Sequence, residues 1–401
     1  HLSIRRQRQM CIRDRAADQR GLADLIGKTS LIRRLLGVLP EPMHCLYFEC
    51  KPHQGEPLSR TLAALAGGLV SQLTDRGLIS PHQIDTTVDS ATAVKSLLQQ
   101  ALPALDGGQL LLILDDAHRL GDDSLSLESF FDFLTNLLAA VPPLRLLVTV
   151  SDVSYGRLTH PLLAGAMTFH LGPLSSDAAQ QLIIRPTQGV MHFDAGVVKR
   201  IADINSNHPY YLHLFCYTLY NRCAREGWIN QSDTDAVLKE LLALPNDRFQ
   251  AIWDQSSRAE RATLAALASL RGAHGPVTRQ EVINCLRRFD PQVVSHVILG
   301  ALESLANRGV LVRMGALSYR FAVNLFRYWL DYHTDLADVL AHIDWGRLSA
   351  QPTPSAIGKE EGGVSPRAST EYPEEGEEGG RRGWGFGQWF ILGLAGTALV
   401  G

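Results

Sequence analysis

Three consecutive residues, Gly27, Lys28 and Thr29, have the types and the order that bind a phosphate group at the start of a helix. Apolar residues with helical spacing follow them, which predicts an amphipathic helix that begins here. The first turn of a helix presents unpaired N–H groups to a phosphate, and glycine lets the phosphate approach closely. Lys28 would place its charge on the β- and γ-phosphates of ATP, and the Thr29 hydroxyl would bind Mg²⁺. Ser30 is included among the predicted nucleotide-binding residues.

The first half of this loop departs from the usual pattern. Gly-x-x-x-x-Gly-Lys-Ser/Thr requires glycine where this chain has Leu22, and the nearest glycine, Gly21, lies one residue too early. Because Gly-Lys-Thr alone recurs by chance, a nucleotide site also requires a buried strand that ends in an acidic residue.

A strand of this kind is predicted at residues 110–114, a continuous apolar run followed by Asp115 and Asp116. Such a run is typical of a strand buried on both faces of a parallel sheet, and α/β folds bind their ligands where these strands end. Asp115 would hold Mg²⁺, directly or through water, and Asp116 would orient or deprotonate the attacking water. A strand that simply ends in an acidic turn is the alternative. The two motifs together, in this order, favour nucleotide binding.

A second buried strand at residues 144–150 ends in polar residues that could reach the same site. Ser151 is the first choice for a side chain that contacts the γ-phosphate or its water, and Thr149 is the alternative. A serine that only caps the end of the strand explains Ser151 about equally well.

The composition of the chain is that of a globular protein with more than one domain. It has 401 residues, of which 45% are hydrophobic, enough for two or three domains with cores of their own. Its net charge of −3 does not indicate a chain that binds nucleic acid over its whole surface. The six cysteines lack the spacing of a zinc site and are interpreted mostly as buried thiols in a reducing compartment.

The order of elements predicts an α/β fold followed by helices. Strands and helices alternate up to about residue 171, which favours a parallel sheet with helices on both faces. Helices follow, and then two short strands around Gly315, an arrangement typical of a winged helix. The third helix of that unit, within residues 291–306, has no arginine or lysine, so this face is poorly suited to DNA.

Both ends of the chain look unusual. Residues 1–15 are arginine-rich without periodicity and resemble translated adapter sequence from a metagenome assembly; a basic arm for nucleic acid is the alternative. Residues 351–380 form a linker rich in proline, glycine and glutamate, which predicts disorder. The uncharged run 384–401 is interpreted as a membrane helix truncated at the end of the chain, and Arg381 and Arg382 would keep the preceding domains cytoplasmic.

The motifs around Lys28 and Asp115, together with residues 207–212, resemble the AAA+/STAND-type P-loop ATPases. The resemblance covers about residues 21–333. It implies a helical lid and a winged helix behind the nucleotide domain, ATP and Mg²⁺ as cofactors, and Pro209 near the adenine ring. It also assigns Thr29 and Asp115 to Mg²⁺ and Asp116 to the catalytic position. Asp116 is shorter than the glutamate common in AAA+ enzymes, and no arginine finger or second sensor is assigned.

The resemblance and the composition together predict six segments. They are a disordered or artefactual N-terminus (1–20), a P-loop nucleotide-binding domain (21–172), a helical lid (173–245), a winged-helix domain (246–345), an acidic disordered linker (346–383) and the start of a transmembrane helix (384–401).

The leading hypothesis is a switch that binds and hydrolyses ATP, weakly or under regulation. It would be tethered to the cytoplasmic face of the inner or plasma membrane and would act on protein partners or on further copies of itself. Two other classes stay open. One is a DNA-binding AAA+ ATPase that uses its winged helix, and the other is an interaction module that does not use ATP.

Overall fold

The computed structural model describes residues 25–39, 42–80, 89–120, 124–150, 160–164, 166–223, 227–270, 275–341, 343–349 and 390–393. In its first half, helices and strands alternate: α1 (Lys28–Leu36), β1 (Met43–Glu49), α2 (Leu58–Asp75), α3 (Ser90–Ala101), β2 (Gln109–Asp115), α4 (Ser124–Ala140), β3 (Leu144–Thr149), α5 (Pro161–Ala164) and β4 (Met167–His170).

The second half is mostly helical: α6 (Ser176–Ile184), β5 (His192–Phe193), α7 (Val197–Ile204), α8 (Pro209–Cys223), β6 (Trp228–Ile229), α9 (Gln231–Ala243), α10 (Asp247–Asp254), α11 (Arg258–Ser269), β7 (Val277–Thr278), α12 (Arg279–Phe289), α13 (Ser295–Asn307), β8 (Leu311–Met314), β9 (Ser318–Phe321), α14 (Asn324–His333), α15 (Leu336–Leu340), α16 (Trp345–Ser349) and β10 (Phe390–Gly393).

The first half is built on a parallel sheet with the strand order β1-β2-β3-β10-β4. Glu49 at the end of β1 lies opposite Asp115 at the end of β2, and Leu114 lies opposite Val148 of β3. Parallel strands point the same way, so the carboxyl ends of β1, β2 and β3 meet at one edge of the sheet. Asp115 is therefore level with Thr149, the last residue of β3.

The apolar residues of β2 are buried on both faces of the sheet. Leu112 and Leu114 pack in the core beneath α2, α3 and α4, whereas Leu111 and Ile113 pack on the opposite face with Ile32 of α1. Side chains alternate between the faces of a strand, so a strand covered on both sides needs an unbroken apolar run. The predicted α/β fold with a parallel sheet and helices is confirmed.

The second half has an apolar core of its own. At its centre the ring of Tyr211 in α8 stacks on Phe249 of α10, with 5.4 Å between centroids, and Phe249 lies 5.1 Å from Phe326 of α14. These rings come from both sides of the predicted boundary at residue 245. The segments predicted as lid and winged helix therefore share one core.

A small antiparallel sheet packs with three helices in this half. Its strands pair in the order β7-β9-β8, with β7 between α11 and α12 and with β8 and β9 after α13. Gly315 in the β8–β9 turn has φ of 68°. Glycine adopts this left-handed conformation without steric cost. The final helix, α16, extends to Ser349 and so crosses the predicted domain boundary at residue 345.

Part of the C-terminal apolar run has a different conformation from the predicted one. Phe390–Gly393 is a strand that pairs in parallel with β3 and β4, whereas the sequence predicted a membrane helix over 384–401. The central position of a sheet shelters an apolar segment from water as a bilayer does, so composition alone does not separate the two. Residues 384–389 and 394–401 of this run lie outside the described residues, and so do residues 1–20 and 350–383. Within the described ranges, no helix has the length and apolar character needed to cross a bilayer.

Candidate functional site

The start of α1 has the geometry that the phosphate-binding motif predicts. Gly27 precedes the helix with φ of 101°, and no side chain caps the first turn. A residue with a Cβ would be strained at this φ, whereas glycine adopts it freely. The N–H groups of the first turn therefore stay accessible to an anion. Lys28 is buried, Thr29 is half-buried and Ser30 is exposed in this turn.

Asp115, which is only 2% exposed, accepts hydrogen bonds from three hydroxyl groups. The Thr29 hydroxyl donates to Oδ2 at 2.7 Å, and the Tyr47 hydroxyl donates to the same oxygen at 3.0 Å. The Thr149 hydroxyl donates to Oδ1 at 2.7 Å. These donors come from α1, β1 and β3, so the parallel register of the sheet assembles the cluster. A buried carboxylate requires such partners to stay charged.

Asp116 forms an ion pair with Lys28, the lysine that the sequence predicts to bind phosphate. Lys28 Nζ lies 3.1 Å from Asp116 Oδ1, and the two side chains are 4% and 20% exposed. The backbone N–H of Asp116 donates to the Thr149 hydroxyl at 2.8 Å, and Asp116 has φ of 57°. Aspartate and asparagine tolerate this left-handed conformation better than most residues. The turn after β2 thus directs the Asp116 side chain toward α1.

The structure brings Gly27, Lys28, Thr29, Asp115 and Asp116 together, as the sequence predicted. Of the other predicted residues, Ser151 lies outside the described residues, and its alternative, Thr149, lies in the cluster. Pro209 begins α8 in the second half of the chain. None of the hydrogen bonds and ion pairs described for Lys28, Asp115 and Asp116 involves Pro209.

Tyr47 is the residue of this cluster that the sequence interpretation missed. It lies two residues before the end of β1, on the same strand face as Glu49, which is opposite Asp115. The sequence does show a polar residue near the end of this predicted strand. Only the strand order of the sheet shows that the strand lies next to the one that ends in Asp115. Burial, and then the neighbouring Asp115 carboxylate, raise the pKa of the Tyr47 phenol far above its ordinary value.

The donor set of this cluster suits a hard divalent cation. Mg²⁺ prefers oxygen ligands and is usually held by one or two protein groups together with phosphate oxygens and water. The Thr29 hydroxyl and the Asp115 carboxylate are oxygen donors already 2.7 Å apart. These two residues are those that would hold the ion, and Lys28 beside them carries the charge for a phosphate.

The parallel sheet and this cluster have the arrangement of a P-loop domain. Residues 26–148 match the family described as AAA domain, and they contain α1, β2 and all the described residues of the cluster except Thr149. This part of the chain has the fold of an AAA-domain P-loop ATPase.

A solved structure shares this fold at low sequence identity, and a second one aligns more weakly. A Walker-type ATPase from Pyrococcus abyssi aligns with a TM-score of 0.56 and 15% identity, over 77% of this chain and 89% of that chain. Cdc6p from Pyrobaculum aerophilum aligns with a TM-score of 0.40 and 17% identity, over 79% of this chain and 84% of that chain. A search of curated proteins gave no match.

Proposed function

We propose that the protein is a molecular switch that binds ATP and hydrolyses it slowly or under regulation. The observation that carries this proposal is a pair of contacts between an uncapped helix start and the end of a central strand. Lys28 pairs with Asp116, and Thr29 donates a hydrogen bond to Asp115. This pairing joins a phosphate-binding group to a metal-binding carboxylate within one ATP-sized site.

Each residue has a defined role in this proposal. Gly27 and the N–H groups of Lys28, Thr29 and Ser30 receive the phosphates, and the Lys28 ammonium lies against the β- and γ-phosphate oxygens. Thr29 and Asp115 hold Mg²⁺, which when bound neutralises phosphate charge. Asp116 accepts a hydrogen bond from the attacking water and takes its proton.

The ion pair between Lys28 and Asp116 suggests how hydrolysis is coupled to binding. Without nucleotide, each charge is partly neutralised by the other. A triphosphate competes with Asp116 for Lys28, because it offers more negative charge to the same ammonium group. Once Lys28 lies on the phosphates, the Asp116 carboxylate becomes available to a water molecule.

The buried Arg119 and the half-buried Arg248 lie close enough to repel each other, which supports communication between the site and the second half. Arg119, three residues after Asp116, is 6% exposed, and its pKa is lowered by burial and by the nearby Arg248 of α10. In the core of the second half, burial raises the pKa of Tyr211, and Arg248 partly offsets this shift. We propose a STAND-type switch in which Pro209 contacts the adenine and the lid moves when nucleotide binds. Because the segments predicted as lid and winged helix share one core, we expect these two segments to move together.

The proposed output is a protein contact made by the winged-helix unit or by another copy of the chain. DNA binding is less well supported, because arginines near the third helix already have partners. Arg313 pairs with Glu303 and donates to Asn307, and Arg287 donates to Ser295. Retention on DNA that falls steeply with salt would support the DNA-binding alternative instead.

We also propose that residues 384–401 bring the protein to the cytoplasmic face of a membrane. The support is the uncharged run behind Arg381 and Arg382. Membrane insertion would require β10 to leave the sheet, since Phe390–Gly393 pairs there with β3 and β4. We expect the full chain to sediment with liposomes and to resist extraction at alkaline pH. A chain that stays in the supernatant would contradict this location.

Replacing Lys28 by alanine tests the ATP site. We expect ATP affinity to fall about 10- to 100-fold, since a hydrogen bond to a charged group contributes about 1.5–3 kcal/mol. Titration with a fluorescent ATP analogue measures the change. The matched control is Lys199→Ala, which removes an exposed lysine that pairs with Asp203 at 2.7 Å and should leave affinity unchanged. If Lys28→Ala binds as tightly as the unaltered protein, the site is elsewhere. If the unaltered protein binds no ATP, the interaction module becomes the better interpretation.

A further inference from the structure

Tyr47 donates a hydrogen bond to Asp115 Oδ2, the oxygen that also accepts the Thr29 hydroxyl. When Thr29 turns to a bound cation, two donors to the carboxylate remain: Tyr47 on Oδ2 and Thr149 on Oδ1. Donors of this kind orient a metal-binding carboxylate and tune its affinity. The position of the Tyr47 hydroxyl therefore decides how Asp115 is presented to the ion.

The aromatic ring of Tyr47 is held independently of its hydroxyl. It packs against the small apolar cluster that contains Ile32 of α1 and Leu111 and Ile113 of β2. This packing fixes the direction in which the hydroxyl points. Phenylalanine has the same ring, so it would keep the packing and remove only the hydrogen bond.

The backbone of Tyr47 is held by a glutamine side chain. Among the strands that the structure describes, β1 lies at the edge of the sheet, and none of them pairs with its outer N–H and C=O groups. The Gln72 side chain of α2 accepts from Tyr47 N at 2.8 Å and donates to Tyr47 O at 2.8 Å, as an adjacent strand would. Gln72 also donates to Gly68 O at 3.2 Å, within its own helix. The Gln72 amide group thus holds the backbone of β1 at Tyr47, whose side chain reaches Asp115.

We propose that Tyr47 is a positioning residue of the Mg²⁺ site and that Gln72 sets its position. This inference rests on the proposed ATP-binding function. The Tyr47 hydroxyl holds Asp115 Oδ2 in the orientation that faces Thr29, so that the cation meets a carboxylate already in place. Loss of the hydroxyl lets the carboxylate rotate and weakens metal binding selectively.

Tyr47→Phe tests this role through metal affinity. We expect Mn²⁺, used as the paramagnetic probe for the Mg²⁺ site, to bind about tenfold more weakly in the presence of ATP, as measured by electron paramagnetic resonance. ATP affinity at saturating Mn²⁺ and the unfolding temperature should stay unchanged. Tyr332→Phe, at an exposed tyrosine in α14, is the matched control. A Tyr47→Phe protein with normal Mn²⁺ affinity would overturn the proposal, as would an equal loss of ATP affinity at saturating metal.

Gln72→Ala provides a second, independent variant. It should also weaken Mn²⁺ binding, and the double variant with Tyr47→Phe should bind no more weakly than Tyr47→Phe alone. Additive effects would mean that Gln72 does not act through the hydroxyl. Gln99→Ala, which removes a glutamine that donates from α3 to Ala140 O, is the control. If the unaltered protein gives no ATP-dependent Mn²⁺ signal, the proposed function fails as well; a normal signal that Tyr47→Phe leaves unchanged overturns this inference alone.

Discussion

Replacing Asp116 by asparagine is expected to slow ATP hydrolysis by about 100-fold or more while ATP stays bound. A positioned general base contributes about 10²- to 10⁴-fold to a rate, and asparagine cannot take a proton from water. Affinity for ATP should rise a few-fold, because Lys28 no longer pairs with a carboxylate 3.1 Å away. Single-turnover hydrolysis and equilibrium binding on the same preparation measure both effects.

Asparagine is the substitution that isolates the charge of Asp116. The residue has φ of 57°, a conformation that asparagine also tolerates, so the turn after β2 should keep its shape. The control Asp203→Asn removes an exposed carboxylate that pairs with Lys199. Unchanged hydrolysis in Asp116→Asn would exclude Asp116 as the base. A loss of ATP affinity as large as that of Lys28→Ala would show that the ion pair holds the site together instead.

Replacing Glu260 by alanine is expected to destabilise the second half of the protein by about 3 kcal/mol. The Glu260 carboxylate is nearly buried and accepts from Ser304 at 2.8 Å, Arg308 at 3.1 Å and the backbone N–H of Ser257 at 2.7 Å. It therefore connects α11 to α13 and neutralises a partly buried arginine. Its removal leaves Arg308 without its carboxylate partner and breaks the capping box of α11. Denaturant unfolding monitored by circular dichroism measures the loss.

Glu281→Ala is the matched control for this stability prediction. Glu281 occupies the same capping-box position in α12, where its carboxylate accepts from Thr278, but the residue is exposed and forms no ion pair in the described structure. We expect it to cost about 1 kcal/mol or less. If the two variants lose equal stability, the effect of Glu260 comes from helix capping, and the buried contact with Arg308 contributes little.

Local patterns in the sequence were sufficient for the phosphate-binding turn and the acidic strand end. Gly27, Lys28 and Thr29 act through the first turn of their own helix, and Asp115 ends a strand whose burial on both faces is visible in five consecutive apolar residues. These features depend on neighbours along the chain, so composition and spacing predict them. The P-loop fold followed from the same two motifs, whereas the AAA resemblance also depended on residues 207–212 and on the order of the predicted domains. Residues 26–148 match the AAA domain family, in agreement with both.

The partners of Asp115 required the three-dimensional arrangement. Tyr47 and Thr149 are distant from Asp115 in sequence and reach it because β1 and β3 flank β2 in a fixed parallel register. Nothing in a single sequence states that β1 lies next to β2, so Tyr47 was overlooked. The register also makes Asp115 the common acceptor of three hydroxyl groups.

Residue types and spacing along the chain were enough to predict which residues would bind phosphate and metal, because such abilities depend on residue type and local conformation. The hydroxyls that contact Asp115, the carboxylate that pairs with Lys28 and the strand at Phe390–Gly393 became visible only in the folded chain. An apolar run predicts that a segment is shielded from water. The conformation of that segment depends on whether a sheet, a helix or a bilayer covers it.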